Sequence, residues 1–139
     1  MKSRIKWVED LTFMAESPSG HTVVLSAGEK HGGKDTTLRP MELLLMGLGG
    51  CSSIDVISIL KKARQDVYDC EAIVEAERHD GIPGYYTKIH GEFVVSGYQL
   101  LDKQVKRAVD MSFEKYCSVS VMLREKADIT WSYKIVNLD

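Results

Sequence analysis

The side chains best equipped for chemistry in this sequence are its three cysteines, Cys51, Cys70 and Cys117. The thiolate is the reactive form of cysteine, so a working thiol needs a lowered pKa and access to its substrate. An odd number of cysteines without a Cys-x-x-Cys pair argues against a disulfide framework. It leaves catalysis, redox response or plain burial as the open roles. The four histidines, His21, His31, His79 and His90, are scattered along the chain and lack the close pairing of metal-binding motifs. Neither a metal site nor a cofactor is expected.

Cys51 lies in the middle of the longest strongly apolar stretch, RPMELLLMGLGGCSSIDVISILKKAR, which runs from Arg39 to Arg64. A proline at a first helical position, an acid two residues later, and Lys61, Lys62 and Arg64 at the far end predict a helix over residues 40–63. Its first half is apolar on every side, which predicts a helix surrounded by protein with Cys51 deep inside. Glu42, Ser52, Ser53, Asp55 and Ser58 interrupt the run and favour a core helix over a membrane span. Gly47, Gly49 and Gly50 fall inside the helix rather than after a strand, so they suit close packing and not phosphate binding. Asp55 is one turn beyond Cys51 and Ser58 a further turn along the same face. Together they could bind a polar group or oppose thiolate formation, and Asp55 is read first as an interface or capping residue.

The remaining elements must position this helix and the other thiols. Alternation of apolar and polar residues predicts strands over residues 3–8, 11–16 and 21–25, the last two separated by the turn formers Ser17, Pro18, Ser19 and Gly20. A glycine-rich, charged loop then leads into the helix over residues 26–38, where it could close over a site. Two long strands, 70–79 and 85–96, form a hairpin with Cys70 on the first. Apolar residues at three- and four-residue spacing predict an amphipathic helix over 101–116, ending at Cys117. Residues 118–123 read as a short helix or an extended run, and 127–136 as a closing strand. The order gives an α+β fold with antiparallel hairpins. A chain of 139 residues, 44% hydrophobic and 27% charged, suits one domain over 1–139. A formal charge of −2 offers nucleic acid or an anionic membrane no basic surface. With no export signal to read, the cytoplasm is the expected compartment.

The segment RPMELLLMGLGGCSSIDV, followed after the long hairpin by MSFEKYCSVSVML, resembles the two cysteine motifs of the OsmC/Ohr family of osmotically induced and organic hydroperoxide resistance proteins. The resemblance covers essentially the whole chain and is nearest to the family's short bacterial branch. It implies an intertwined homodimer in which antiparallel sheets wrap long central helices, with thiol sites near the interface. It also implies a cysteine-based thiol peroxidase that reduces organic hydroperoxides. Cys51 is then the attacking thiol, Cys117 the resolving one, and an external dithiol the reductant. Sulfenic acid on the attacker condenses with the second thiol before it is oxidised further. Leucines and methionines beside Cys51 suit an alkyl hydroperoxide, whose organic part gains about 25 cal/mol per Å² on burial. Cys70 matches no family motif and is assigned to packing.

The family pattern and this sequence diverge at the groups that tune the thiol. Peroxidase members carry glutamate directly after the proline, and an arginine from an N-terminal turn. Here Met41 follows Pro40, the acid is Glu42, and the turn over 17–21 has no arginine, which leaves Arg39, or Lys30 and Lys34 in the loop, as candidate cations. At about 100° per residue, Glu42 and Cys51 fall on opposite faces of a regular helix. The alternative function is therefore a non-enzymatic OsmC-like dimer, redox-responsive or binding a small ligand.

Overall fold

The computed structural model describes residues Met1–Asp139, and the chain divides into two compact units, Met1–Leu44 and Leu45–Asp139. In the first unit, strands β1 (Arg4–Glu9), β2 (Thr12–Glu16) and β3 (Thr22–Ser26) form an antiparallel meander in the order β1-β2-β3. Ile5 pairs with Ala15 and Trp7 with Phe13, and Phe13 pairs on its other side with Leu25. The Trp7 indole N–H donates to the Asp10 carbonyl at 2.6 Å and fixes the first turn. Gly20 takes φ +88° in the second turn, a conformation that costs glycine little.

The segment after β3 is more ordered than its composition suggests. A single 3₁₀ turn, Glu29–His31, is followed by an ion pair between Lys34 and Asp10 at 2.8 Å. Leu38 then bridges to Leu25, with the Ser26 N–H donating to the Leu38 carbonyl. A side chain at Gly33 would collide with the Ala27 carbonyl, so this loop folds back on itself only because that position has no Cβ. The segment expected to be a free loop is thus tied to the meander by backbone hydrogen bonds.

Helix α1 (Pro40–Lys62) starts at the proline, with Glu42 accepting a hydrogen bond from the Arg39 N–H at 2.6 Å. This is the reciprocal half of a capping arrangement, in which a third-position acid satisfies a donor before the first turn. From Leu45 onward the helix belongs to the second unit, where Leu48, Ser52, Val56 and Leu60 form its buried stripe at four-residue spacing. Sequence predicts burial all round; the structure buries one face. Met46 is 58% and Ile54 69% exposed, while the Ser52 carbonyl in the buried stripe accepts from the Ser112 hydroxyl of the second unit. By length and composition α1 also satisfies the requirement for a membrane-crossing helix.

The second unit contains β4 (Asp66–Arg78), β5 (Tyr86–Tyr98) and β6 (Asp128–Asn137) in the order β4-β5-β6. The β4–β5 hairpin is antiparallel, whereas β6 lies parallel to β5, with Gly91 beside Trp131 and Phe93 beside Tyr133. The all-antiparallel expectation gives way here. Residues 99–127 form a helical crossover that carries the chain back to the starting end of β5, as a parallel pairing requires. That crossover comprises α2 (Asp102–Met111), a π-helical turn Ser112–Tyr116, and α3 (Ser118–Leu123). Its apolar side inserts Val105, Ala108, Val109 and Phe113 into the core. The Phe113 ring stacks on Trp131 with centroids 5.1 Å apart and meets Phe93 edge-on at 6.0 Å. The Trp131 indole donates to Asp110 at 2.9 Å and the Tyr133 hydroxyl to Asp102 at 2.8 Å, which fastens α2 to β6.

Two glycines set the spacing of these layers. A Cβ on Gly49 would meet Val74 Cγ2 at 3.3 Å, and one on Gly91 would meet Phe113 Cζ at 2.8 Å. Gly49 lets α1 approach β4, so the close contact foreseen for this glycine cluster is made to a strand. Gly47 and Gly50 have open space around them.

Candidate active site

The single helix predicted over 101–116 is broken in the structure at Met111. In the π-helical turn that follows, the Cys117 N–H donates to the Ser112 carbonyl at 2.7 Å. Such one-turn bulges displace the residues after them relative to a regular helix and are frequent at functional sites. Here the bulge delivers Cys117 to the N-cap position of α3, where its Sγ accepts from the Ser120 N–H at 3.4 Å.

Cys51 comes from α1 and meets Cys117 there. The two sulfurs and one carboxylate oxygen of Asp55 all lie within 4.8 Å of one another. Both thiols are free, with Cys51 half-buried and Cys117 fully inaccessible. Burial pushes the Cys117 thiol up to about 11; the Ser120 N–H acts in the opposite direction, and the adjacent Cys51 sulfur reinforces the rise. Cys117 is therefore the thiol that keeps its proton, while the half-exposed Cys51 is the one a solute can reach.

Asp55 joins the pair because four residues of helix return it to the face of Cys51. Its carboxylate accepts from the Ser112 hydroxyl at 3.2 Å, and the same hydroxyl donates to the Ser52 carbonyl at 3.1 Å. The π turn thus fixes the acid as well as the second thiol. Beyond Asp55 opens a cleft of about 540 Å³, lined among others by Ser58, Lys62, Arg107, Met111 and Tyr116. The helical spacing of Asp55 and Ser58 was the sequence signal for this wall. Ser112 carried no such signal, since its role depends on the bulge.

The other candidates lie elsewhere. Glu42 is occupied at the start of α1, and the Arg39 guanidinium pairs with Asp35 at 3.0 Å and rests against Gly28. Cys70 sits on β4 opposite Val95, its N–H donating to the Asp69 carboxylate at 2.9 Å. Burial, and then the Asp69 charge, push its thiol up to about 11.

Residues 32–132 match the sequence model of the family described as OsmC-like protein. The chain belongs to the OsmC-like family. Protein YhfA of Escherichia coli strain K12 is 49% identical to this OsmC-like chain over 136 residues, covering 98% of each. A structural-genomics structure with 48% identity covers 99% of this chain and 100% of its own, with a TM-score of 0.91. An organic hydroperoxide resistance protein OsmC from Legionella pneumophila, 15% identical, shares the fold at a TM-score of 0.73 over 96% of this chain and 95% of its own. This chain's α+β architecture, with its long helix and two three-stranded sheets, has the OsmC-like fold of these structures.

Proposed function

We propose that this OsmC-like protein is a thiol peroxidase for organic hydroperoxides, with Cys51 attacking and Cys117 resolving. The observation that carries the reading is the pairing of a half-exposed thiol with a buried, proton-retaining thiol less than 4.8 Å away. The Cys51 thiolate attacks the terminal peroxide oxygen, the O–O bond breaks, and a proton goes to the departing alkoxide. Cys51 becomes a sulfenic acid and the peroxide an alcohol. The Cys117 sulfur then attacks the sulfenic sulfur, its proton leaves with the hydroxyl as water, and a disulfide forms. An external dithiol gives up two electrons and two protons to restore both thiols. Ile59, Met111 and Tyr116 in the cleft beside Asp55 offer an alkyl or aryl group an apolar surface.

The functional unit in this proposal is a homodimer in the cytoplasm. The uncovered apolar side chains of α1, Met46 and Ile54, supply a face for a second copy, and a reducing compartment keeps the thiols ready for attack. Consumption of cumene hydroperoxide by purified protein with a dithiol tests the enzyme reading. Turnover should vanish in Cys51→Ser, and a wild-type rate no greater than that of the variant rejects it.

A second reading has an observation of its own. Glu42 and Arg39, the acid and cation nearest the family's activating positions, are both engaged at the entrance of α1. The protein is then a redox-responsive dimer whose Cys51–Cys117 pair oxidises once without sustained turnover. One equivalent of disulfide per chain, with no further peroxide consumption in the presence of dithiol, selects it.

A further inference from the structure

Asp55 has no part in the peroxide steps, yet its carboxylate accepts from the Ser112 hydroxyl and lies within 4.8 Å of both sulfurs. We propose that the reduced protein binds a zinc ion through Cys51 Sγ, Cys117 Sγ and the Asp55 carboxylate, with water in the fourth position. Two soft thiolates and one carboxylate form a donor set suited to Zn²⁺ over Mg²⁺ or Ca²⁺, which favour oxygen alone. Zinc sites of tetrahedral geometry place sulfur at about 2.3 Å and carboxylate oxygen at about 2.0–2.2 Å, so neighbouring ligands stand about 3.5–3.8 Å apart. The three ligand atoms already lie within 4.8 Å of one another. Closing the remaining gap of roughly 1 Å requires only side-chain rotation at positions whose backbone is fixed.

That backbone is well held. Cys51 and Asp55 stand one turn apart on the same face of α1, the spacing with which a helix presents two ligands to one ion. Cys117 is fixed from the opposite side by the π turn and by its N-cap bond. The Ser112 hydroxyl at 3.2 Å orients the Asp55 carboxylate, the service that outer hydrogen bonds render to metal ligands. Three anionic ligands around a dication leave one negative charge, and Lys62 and Arg107 line the cleft that Asp55 enters. On binding, both thiol protons leave to solvent, with no change of oxidation state. The cleft reaches the Asp55 ligand, and the half-buried Cys51 is the more accessible of the two sulfurs. This assignment rests on ligand geometry and holds whether or not the pair turns over peroxide.

Titration of the reduced, metal-free full-length protein with Co²⁺ tests it without peroxide. Expected are thiolate-to-cobalt charge-transfer absorption and tetrahedral visible bands that saturate at one ion per chain and vanish on adding Zn²⁺. Asp55→Asn should weaken binding at least about tenfold while retaining the sulfur-derived absorption, and Cys70→Ser should bind as wild type. Cys51→Ser and Cys117→Ser should each lose about half of the charge-transfer intensity per bound ion. Wild-type protein confirmed by peptide mapping to carry a Cys51–Cys117 disulfide should bind no Co²⁺, and it needs no substitution that could perturb folding. The proposal is overturned by a lack of charge-transfer absorption in the reduced protein, by undiminished binding in Asp55→Asn, or by undiminished binding in the oxidised protein.

Discussion

A thiol in this protein is defined by its surroundings, and the three cysteines occupy three different ones. Cys70 is held protonated by burial and by the Asp69 charge, its pKa raised from the ordinary 9.0 to about 11. The folded protein therefore keeps a proton that the unfolded chain releases near pH 9. This contribution to stability is complete below that pH and disappears as the pH climbs through 11. Urea midpoints measured at about pH 8 and about pH 10.5 should fall between the two conditions, and by less in Cys70→Ala than in wild type. Cys117 is buried beside Cys51, and its proposed service is to intercept the sulfenic acid. Cys117→Ser should consume roughly two equivalents of hydroperoxide, one to form the sulfenic acid and one to carry it on, and then stop, with sulfinic acid accumulating at Cys51 in the intact mass spectrum. Wild type under the same dithiol supply should continue without that modification. The Ser112 hydroxyl is fully buried and donates to both Asp55 and the Ser52 carbonyl. Ser112→Ala should cost about 1–2 kcal/mol in chemical denaturation and slow oxidative closure of the Cys51–Cys117 pair.

At the scale of elements, the site depends on an aromatic stack. Phe113 belongs to the π turn that places Cys117, and its ring lies flat on Trp131 and directly over Gly91. Gly91→Ala puts a methyl 2.8 Å from Phe113 Cζ, and the ring cannot retreat because Trp131 backs it. A loss of about 1–3 kcal/mol in urea unfolding is expected. The displaced turn should also lengthen the time for disulfide formation, which quenched alkylation would follow. The same contrast explains what the sequence made legible. Pro40, Glu42 and the basic last turn marked α1 to within one residue of its observed end, because caps and charges act locally. Strand alternation located all six strands, although the pairing of β6 was not legible: parallel or antiparallel depends on where a crossover ends in space. The π turn was invisible for a related reason. Its residues keep helical periodicity up to Tyr116, and the bulge is held by tertiary contacts: Phe113 stacks on Trp131, and the Ser120 hydroxyl donates to the Phe113 carbonyl at 2.9 Å. Asp55 could be placed on the face of Cys51 by counting turns; its meeting with Cys117 required the tertiary fold.

At the scale of the whole molecule, the central helix is the unfinished part. Sequence predicts apolar surroundings on every side of α1, and one chain buries Leu48, Ser52, Val56 and Leu60 while leaving Met46 and Ile54 largely open to solvent. Both statements are satisfied together when a second copy covers the open face, as in the homodimer proposed above. The apolar run then needs no membrane to account for it. Transfer of these side chains out of water is worth about 25 cal/mol per Å², so placing a charge on that face should oppose association far more than it disturbs the chain's own core. Ile54→Glu, 69% exposed in the single chain, should leave the far-UV circular dichroism unchanged and shift the light-scattering mass from dimer toward monomer. Val56→Glu, two residues along on the buried stripe, should instead unfold the protein. A monomeric wild type, or an Ile54→Glu variant that remains fully dimeric, rejects the assignment of this face to self-association.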